Sequence, residues 1–196
     1  MKTDRSLLTK GIEIVGGLFA ASGGFLIGIA PPEESDAKIA VGAGSFLALI
    51  IWLLIKSAAQ GLPVKKYKKR WMIASIVLSI AFVLSAFIYK QKYDALVFWY
   101  PPERPERQIV AGTVLKPRAL EYQRNNPETV NNNALLLFGF GPENKNAVWP
   151  EESVRKAKAW LVGSYLVTVL MLVSSIFTLT EGIFGNVKYT NRTVTK

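Results

Sequence analysis

Neither cysteine nor histidine occurs among the 196 residues of this chain. Imidazole and thiolate are the usual soft metal ligands, haem ligands and near-neutral proton carriers. His- or Cys-ligated haem, His-based zinc sites and His-assisted triads therefore lose their central residue. Charge is also missing from long stretches, although the chain carries 24 Lys and Arg against 14 Asp and Glu. Half of the residues are hydrophobic, and they gather into four blocks, Gly11 to Ala30, Ile39 to Ile55, Trp71 to Tyr89 and Ala159 to Phe184. About 20 apolar residues cross the hydrocarbon layer as a helix. The expected fold is mainly α, a four-helix transmembrane bundle with a small α+β extramembrane insert between spans three and four. Helices one to three fall in residues 1–90, the insert in 91–153, and helix four with a polar tail in 154–196.

A removable signal peptide competes for the first block, because Lys2, Arg5 and Lys10 precede an apolar run ending Gly28, Ile29, Ala30. Pro31 would directly follow the cut, and the block is longer than a usual signal core, so it reads as a span. The fourth block is preceded by Pro150, Glu151, Glu152 and Ser153. Proline in the first turn and acids at the positive end of the helix dipole predict a helix that starts outside the membrane and enters it near Trp160.

Orientation follows from the cations. Lys2, Arg5 and Lys10, then Lys56 and Lys65 to Arg70, then Lys188, Arg192 and Lys196 flank alternate ends of the spans. The turn holding Glu33, Glu34 and Asp36 lies opposite, as does the segment from Tyr93 to Ser153, with eight acids against six bases. The positive-inside rule then places both termini inside. Lys90, Lys92, Arg155, Lys156 and Lys158 at the outer ends argue the other way. The formal charge of +10 does not indicate nucleic acid, since the bases sit at membrane edges with no aromatic and basic platform. Lys65, Lys66, Lys68, Lys69 and Arg70 form a juxtamembrane cluster that either contacts anionic lipid headgroups or only fixes topology.

The first block repeats small residues. Gly16 and Gly23, Gly17 and Gly24, and Gly24 with Gly28 form a thin surface, and the second block answers with Gly42 and Gly44. Such helices approach closely, and in lipid the gain is van der Waals contact. The seam joins either spans one and two of one chain or separate protomers. Two acids intrude on the spans, Glu13 and Glu181, each about a turn inside an inner end. They either snorkel to the interface or ring the mouth of an oligomeric pore. A transporter would place a carboxylate nearer the midplane.

Within the insert, Ala95 to Tyr100 and Gln108 to Leu115 are β-prone runs around Pro101, Pro102, Glu103, Arg104, Pro105, Glu106 and Arg107, which predicts a hairpin with a stiff tip. Pro117 can start a helix through Tyr122. Asn126, Pro127 and Glu128 read as the start of a second helix through Phe138, with a strand as the competitor over 134–140. Some 60 residues without a disulfide make a small core, so the insert is expected to lean on something. Trp99, Tyr100 and Trp149 are candidates for an aromatic belt or a contact with a neighbouring subunit.

A short first outer loop, a large second one and inside termini are similar to the tetraspanin layout, but the cysteine pairs of that loop are absent. The order Gly112, Thr113, Leu115, Ala119, Tyr122, Pro127, Leu136, Leu137, Val148, Trp149, Glu152, Ser153 and Tyr165 resembles small bacterial membrane proteins with a GTxL…VWxxES pattern. These are associated with conflict or defence gene neighbourhoods. The resemblance implies a bacterial cytoplasmic membrane and carries no catalytic residue. The expected function is non-catalytic: an accessory or structural subunit of a membrane assembly, working by helix packing and protein contact. The alternative is an oligomeric pore-forming or membrane-disrupting effector. Lipids and either a second copy or other membrane subunits are the expected partners, with no cofactor, metal or nucleic acid.

Overall fold

In the computed structural model, residues 30–32, 34–60, 64–104, 106–141 and 144–184 are described. Glu13, Gly16, Gly17, Gly23, Gly24 and Gly28 lie outside them, as do the side chains of Lys65 and Lys66. The chain is mainly helical. Helix α1 (Glu34–Gln60) is followed by α2 (Val64–Leu96), a hairpin of β1 (Val97–Tyr100) and β2 (Arg107–Val110), and α3 (Pro117–Asn125). A 3-10 turn (Pro127–Thr129), α4 (Asn133–Phe140), the short α5 (Lys145–Val148) and α6 (Glu151–Phe184) complete it.

Among the described residues three helices are long and apolar enough to cross a membrane, within Asp36–Ala59, Lys68–Leu96 and Glu151–Ile183. Each outgrows its apolar block. Helix α1 stops where Gly61 and Pro63 follow in the sequence, residues that cannot easily continue it. Helix α2 runs past the expected boundary at 90 because Lys90, Gln91, Lys92 and Asp94 are tolerated in a helix and Lys90 pairs with Asp94 one turn on. It ends two residues into the β-prone run that begins at Ala95, where β1 takes over at Val97.

The described residues fall into two compact units. One contains Val41–Phe87 and α6 from Leu166 onward. Here α6 is the inner helix: 44% of its most apolar stretch is buried, against 22% for α1 and 11% for α2. Helix α1 turns Gly44, Ala48 and Trp52 inward at four-residue spacing. A Cβ on Gly44 would stand 3.6 Å from Leu166 and 3.7 Å from Val169, ordinary contact distances. Lys56 meets Glu181 with the same sequence separation as Gly44 and Val169, 125 residues, so α1 and α6 run parallel. Helix α2 is antiparallel to α6, since Ser75 bonds to Ser175 while Trp71, earlier in α2, lies against Gly182, later in α6. Ile73, Ile76, Val77, Ile80, Val83, Leu84 and Phe87 face away, as a lipid-facing side would.

The other unit contains Ala30–Ala40 and Ile88–Tyr165. Its hairpin is antiparallel, pairing Val97 with Val110 and Tyr100 with Arg107. Tyr100, Ile109, Ala111, Ala119, Leu136, Leu137, Val148, Trp149 and Val154 form one buried cluster, with Phe98, Leu115, Tyr122 and Phe140 packed against it. The insert thus has a core of its own, drawing on the first turns of α6 as well as on residues 97–149. The helix expected to begin outside the membrane, after Pro150, starts at Glu151, and the unit runs on along it to Tyr165.

Two local expectations are corrected. The helix foreseen from Pro127 is only a 3-10 turn, and α4 starts at Asn133 because Asn132 caps it, its side chain accepting from the Leu135 amide at 3.1 Å. Asn131 takes φ 63 to make the turn before that cap. Residues 134–140 are therefore helix and not strand, and the strands are shorter than their β-prone runs.

Candidate functional site

In the membrane-type unit, Ser45, Ser85 and Thr180 bond back to carbonyls of their own helices, and a smaller set of polar side chains links one helix to another. Ser75 Oγ donates to the Ser175 carbonyl at 3.1 Å, and the Ser79 and Ser175 hydroxyls lie 2.6 Å apart. Near the ends of α1 and α6, the Lys56 ammonium forms an ion pair with the Glu181 carboxylate. The two ends differ in environment: the Glu181 side chain is 4% exposed and that of Lys56 39%. Trp52, Ile55, Phe177 and Thr180 surround them, leaving a cavity of about 30 Å³. That space admits one or two water-sized groups and no organic ligand.

Glu181 is therefore an ion-paired carboxylate and not a free one. Sequence reasoning matches it with Glu13 and treats Lys56 only as a topology charge. The overlooked signal is an opposite charge at the corresponding end of another span. Of the glycines proposed for packing, Gly44 lies against α6, whereas Gly42 is exposed and meets no described side chain. Lys68, Lys69 and Arg70 are all exposed at the start of α2. At the other end, Lys90 pairs with Asp94 and Lys156 with Glu152, which offsets two of the five cations that opposed the expected orientation.

The aromatic candidates separate. Trp99 is 54% exposed, but Tyr100 and Trp149 are buried at 4% and 1%. The expectation that all three form an outward contact is corrected: strand alternation turns Tyr100 inward and Trp99 outward, and Trp149 fills the centre of the insert.

The residues of the GTxL…VWxxES pattern converge on that centre. Ser153 Oγ accepts from the Val114 amide at 2.9 Å and lies 3.2 Å from Thr113 Oγ1. Gly112 lies so close that a Cβ there would stand 2.7 Å from Ser153 Oγ and 2.8 Å from Trp149 Cβ. The Lys116 amide donates to the Val148 carbonyl at 2.9 Å. These contacts staple the segment after β2 to the start of α6.

Among its described residues the insert also carries an open cleft of about 560 Å³ between α3, the end of α4 and α5, lined in part by Arg118, Glu121, Tyr122, Asn125, Phe140 and Asn144. Its wall is set by a close approach, since any side chain at Gly139 would collide with the Tyr122 ring. Tyr122 and Phe140 meet edge to face at 5.2 Å. Among the described residues, no three acidic side chains gather as a metal site would require. No family model, curated protein or solved structure matches the chain.

Proposed function

We propose that this chain is a four-span integral membrane protein, non-catalytic, acting as an accessory or structural subunit of a larger membrane assembly through helix packing and the contact surface of its insert. The observation that carries this reading is the use made of intramembrane polarity. Ser75, Ser79 and Ser175 bind α2 to α6, and Lys56 with Glu181 binds α1 to α6. These groups join helices, where a transporter or channel would present them to a path.

The first apolar block supplies the fourth span, and the orientation is N-in and C-in in a bacterial cytoplasmic membrane, with the insert outside. Pairing of Lys90 and Lys156 with nearby acids supports that orientation. The exposed Lys68, Lys69 and Arg70 then face anionic lipid headgroups. The pore-forming alternative requires Glu181 to act as an open negative rim. Its ion pair with Lys56 weighs against that role.

The test is the mass of the detergent-solubilised particle, measured from its native membrane and after purification. A particle larger than one chain in its detergent belt is expected from the native membrane. A single chain in both preparations would overturn the proposal, as would cation currents from the purified protein that weaken in Glu13→Gln/Glu181→Gln.

A further inference from the structure

The cleft of the insert holds two charges that have no partner among the described residues. Arg118 and Glu121 are exposed, sit about one turn apart on α3, and among the described residues make no hydrogen bond or ion pair. Side chains at i and i+3 on a helix have Cβ atoms about 5–6 Å apart, so a ligand that satisfies both must carry opposite charges at similar spacing. The cleft also offers the carboxamides of Asn125 and Asn144. One N–H of the Asn144 carboxamide is given to the Phe140 carbonyl at 2.8 Å, which leaves its second N–H as a donor and its oxygen as an acceptor. A carboxamide-lined cleft with one cation and one anion suits a peptide segment of mixed charge.

This chain carries such a peptide. The connection between β1 and β2 presents Glu103 and Arg104 side by side, both exposed. Among the described residues their ionic contact is a long one, from Arg104 to Glu106 at 3.8 Å between groups 87% and 66% exposed. Pro101 and Pro102 precede them and restrict φ, so less conformational freedom is lost when the tip is held. None of the cleft's lining residues comes from that tip. Tip and cleft belong to the same compact unit, so copies inserted with the same orientation would carry both on one side of the membrane.

We infer that the hairpin tip of one copy docks in the cleft of a second copy, Arg104 meeting Glu121 and Glu103 meeting Arg118. The contact is heterologous: each copy offers one tip and one cleft, so repetition gives a ring if the rotation closes and a string if it does not. The inference rests on the proposed contact role and names one partner for it.

The absence of cysteine permits a direct test in the full-length protein. Two differently tagged forms, Glu103→Cys and Asn125→Cys, are reconstituted together in lipid vesicles and oxidised mildly. The expected product is the disulfide between the two forms, in excess of either form paired with itself and of a control pair using Glu128→Cys. Adding Glu121→Arg to the cleft form should lower the yield about five- to tenfold. Adding Arg104→Glu to the tip form should restore most of it. A yield equal to the control, indifference to Glu121→Arg, or no restoration by Arg104→Glu would each overturn the inference. A large native particle without the tip–cleft disulfide sinks this inference alone, whereas a single chain from both native membrane and purification sinks the contact role as well.

Discussion

The ion pair between Lys56 and Glu181 makes an asymmetric prediction. Lys56 is 39% exposed and has a flexible stem, so on losing its partner it can turn its ammonium toward water. Glu181 is 4% exposed among Trp52, Phe177 and Thr180 and has no comparable escape. Replacing Lys56 by methionine keeps the stem volume but removes the ammonium that faces the buried carboxylate. Breaking a buried pair from one side typically costs about 3–5 kcal/mol. The partial exposure of Lys56 argues for the lower end, about 3 kcal/mol. Replacing Glu181 by glutamine leaves an amide that still accepts a hydrogen bond and a lysine that can rehydrate, so about 1 kcal/mol is expected. The difference of about 2 kcal/mol corresponds to roughly a thirtyfold change in the folding equilibrium. Lys56→Met with Glu181→Leu together should cost less than Lys56→Met alone, because no charge is left buried. Reversible unfolding of the purified protein in mixed micelles, followed by tryptophan fluorescence, measures all three. Equal losses in the two single variants, or a double variant as unstable as the sum of its parts, would refute an ion pair with one buried and one wet end.

Further outcomes are expected at other positions. Gly112→Ala should destabilise the insert by about 1–3 kcal/mol through overpacking against Trp149 and Ser153, seen as faster proteolysis within residues 97–149. Gly44→Ala, whose new methyl would meet Leu166 and Val169 at 3.6 and 3.7 Å, should be neutral or stabilising in the same micelle titration. Ser175→Ala removes the hydroxyl that meets Ser79 and should cost about 0.6–1.7 kcal/mol; no change in unfolding midpoint would mean that the serine contact carries no stability. Single cysteines at Ser35 and Asn132 should react with an impermeant thiol reagent in sealed cells while one at Gln60 should not, and the reverse pattern would invert the orientation.

The long helices were legible because a span needs only continuous apolarity, and that property is local to Ile39–Ile55, Trp71–Tyr89 and Ala159–Phe184. Their true ends were less legible, since polar residues such as Lys90 to Asp94 continue a helix when paired along it. Hairpin and proline-started helix were readable from turn chemistry. The start of α4 was misplaced because two asparagine-led signals compete within seven residues, Asn126 with Pro127 and Asn132 with Asn133, and tertiary packing of Leu136 and Leu137 selects the second. The Lys56 and Glu181 partnership lies 125 residues apart in sequence, beyond the reach of any periodic pattern. Tyr100 and Trp149 were misassigned for a related reason: aromatic residues at a membrane edge and aromatic residues in a small core have the same composition, and only the tertiary packing that buries both in one cluster distinguishes them.

The position of the patterned residues bears on what a resemblance can transfer. Gly112, Leu115, Ala119, Leu136, Leu137, Val148 and Trp149 are packing residues of one core or lie against it, and Ser153 bonds to the backbone that follows Gly112. Spacing of this kind is demanded by the fold of the insert, whatever the insert touches. Arg118, Glu121 and Asn125 occupy the outer side of the same α3 that contributes Ala119 to the core. Substitutions there leave the packing intact, so the cleft can be altered separately from the core. Exchanging Arg118, Glu121 and Asn125 should therefore change what binds without changing stability by more than about 0.5 kcal/mol, whereas exchanging Gly112 or Trp149 should abolish binding only by unfolding the insert. Loss of stability on altering the cleft residues, measured in the same micelle titration, would show that fold and contact are not separable in this way.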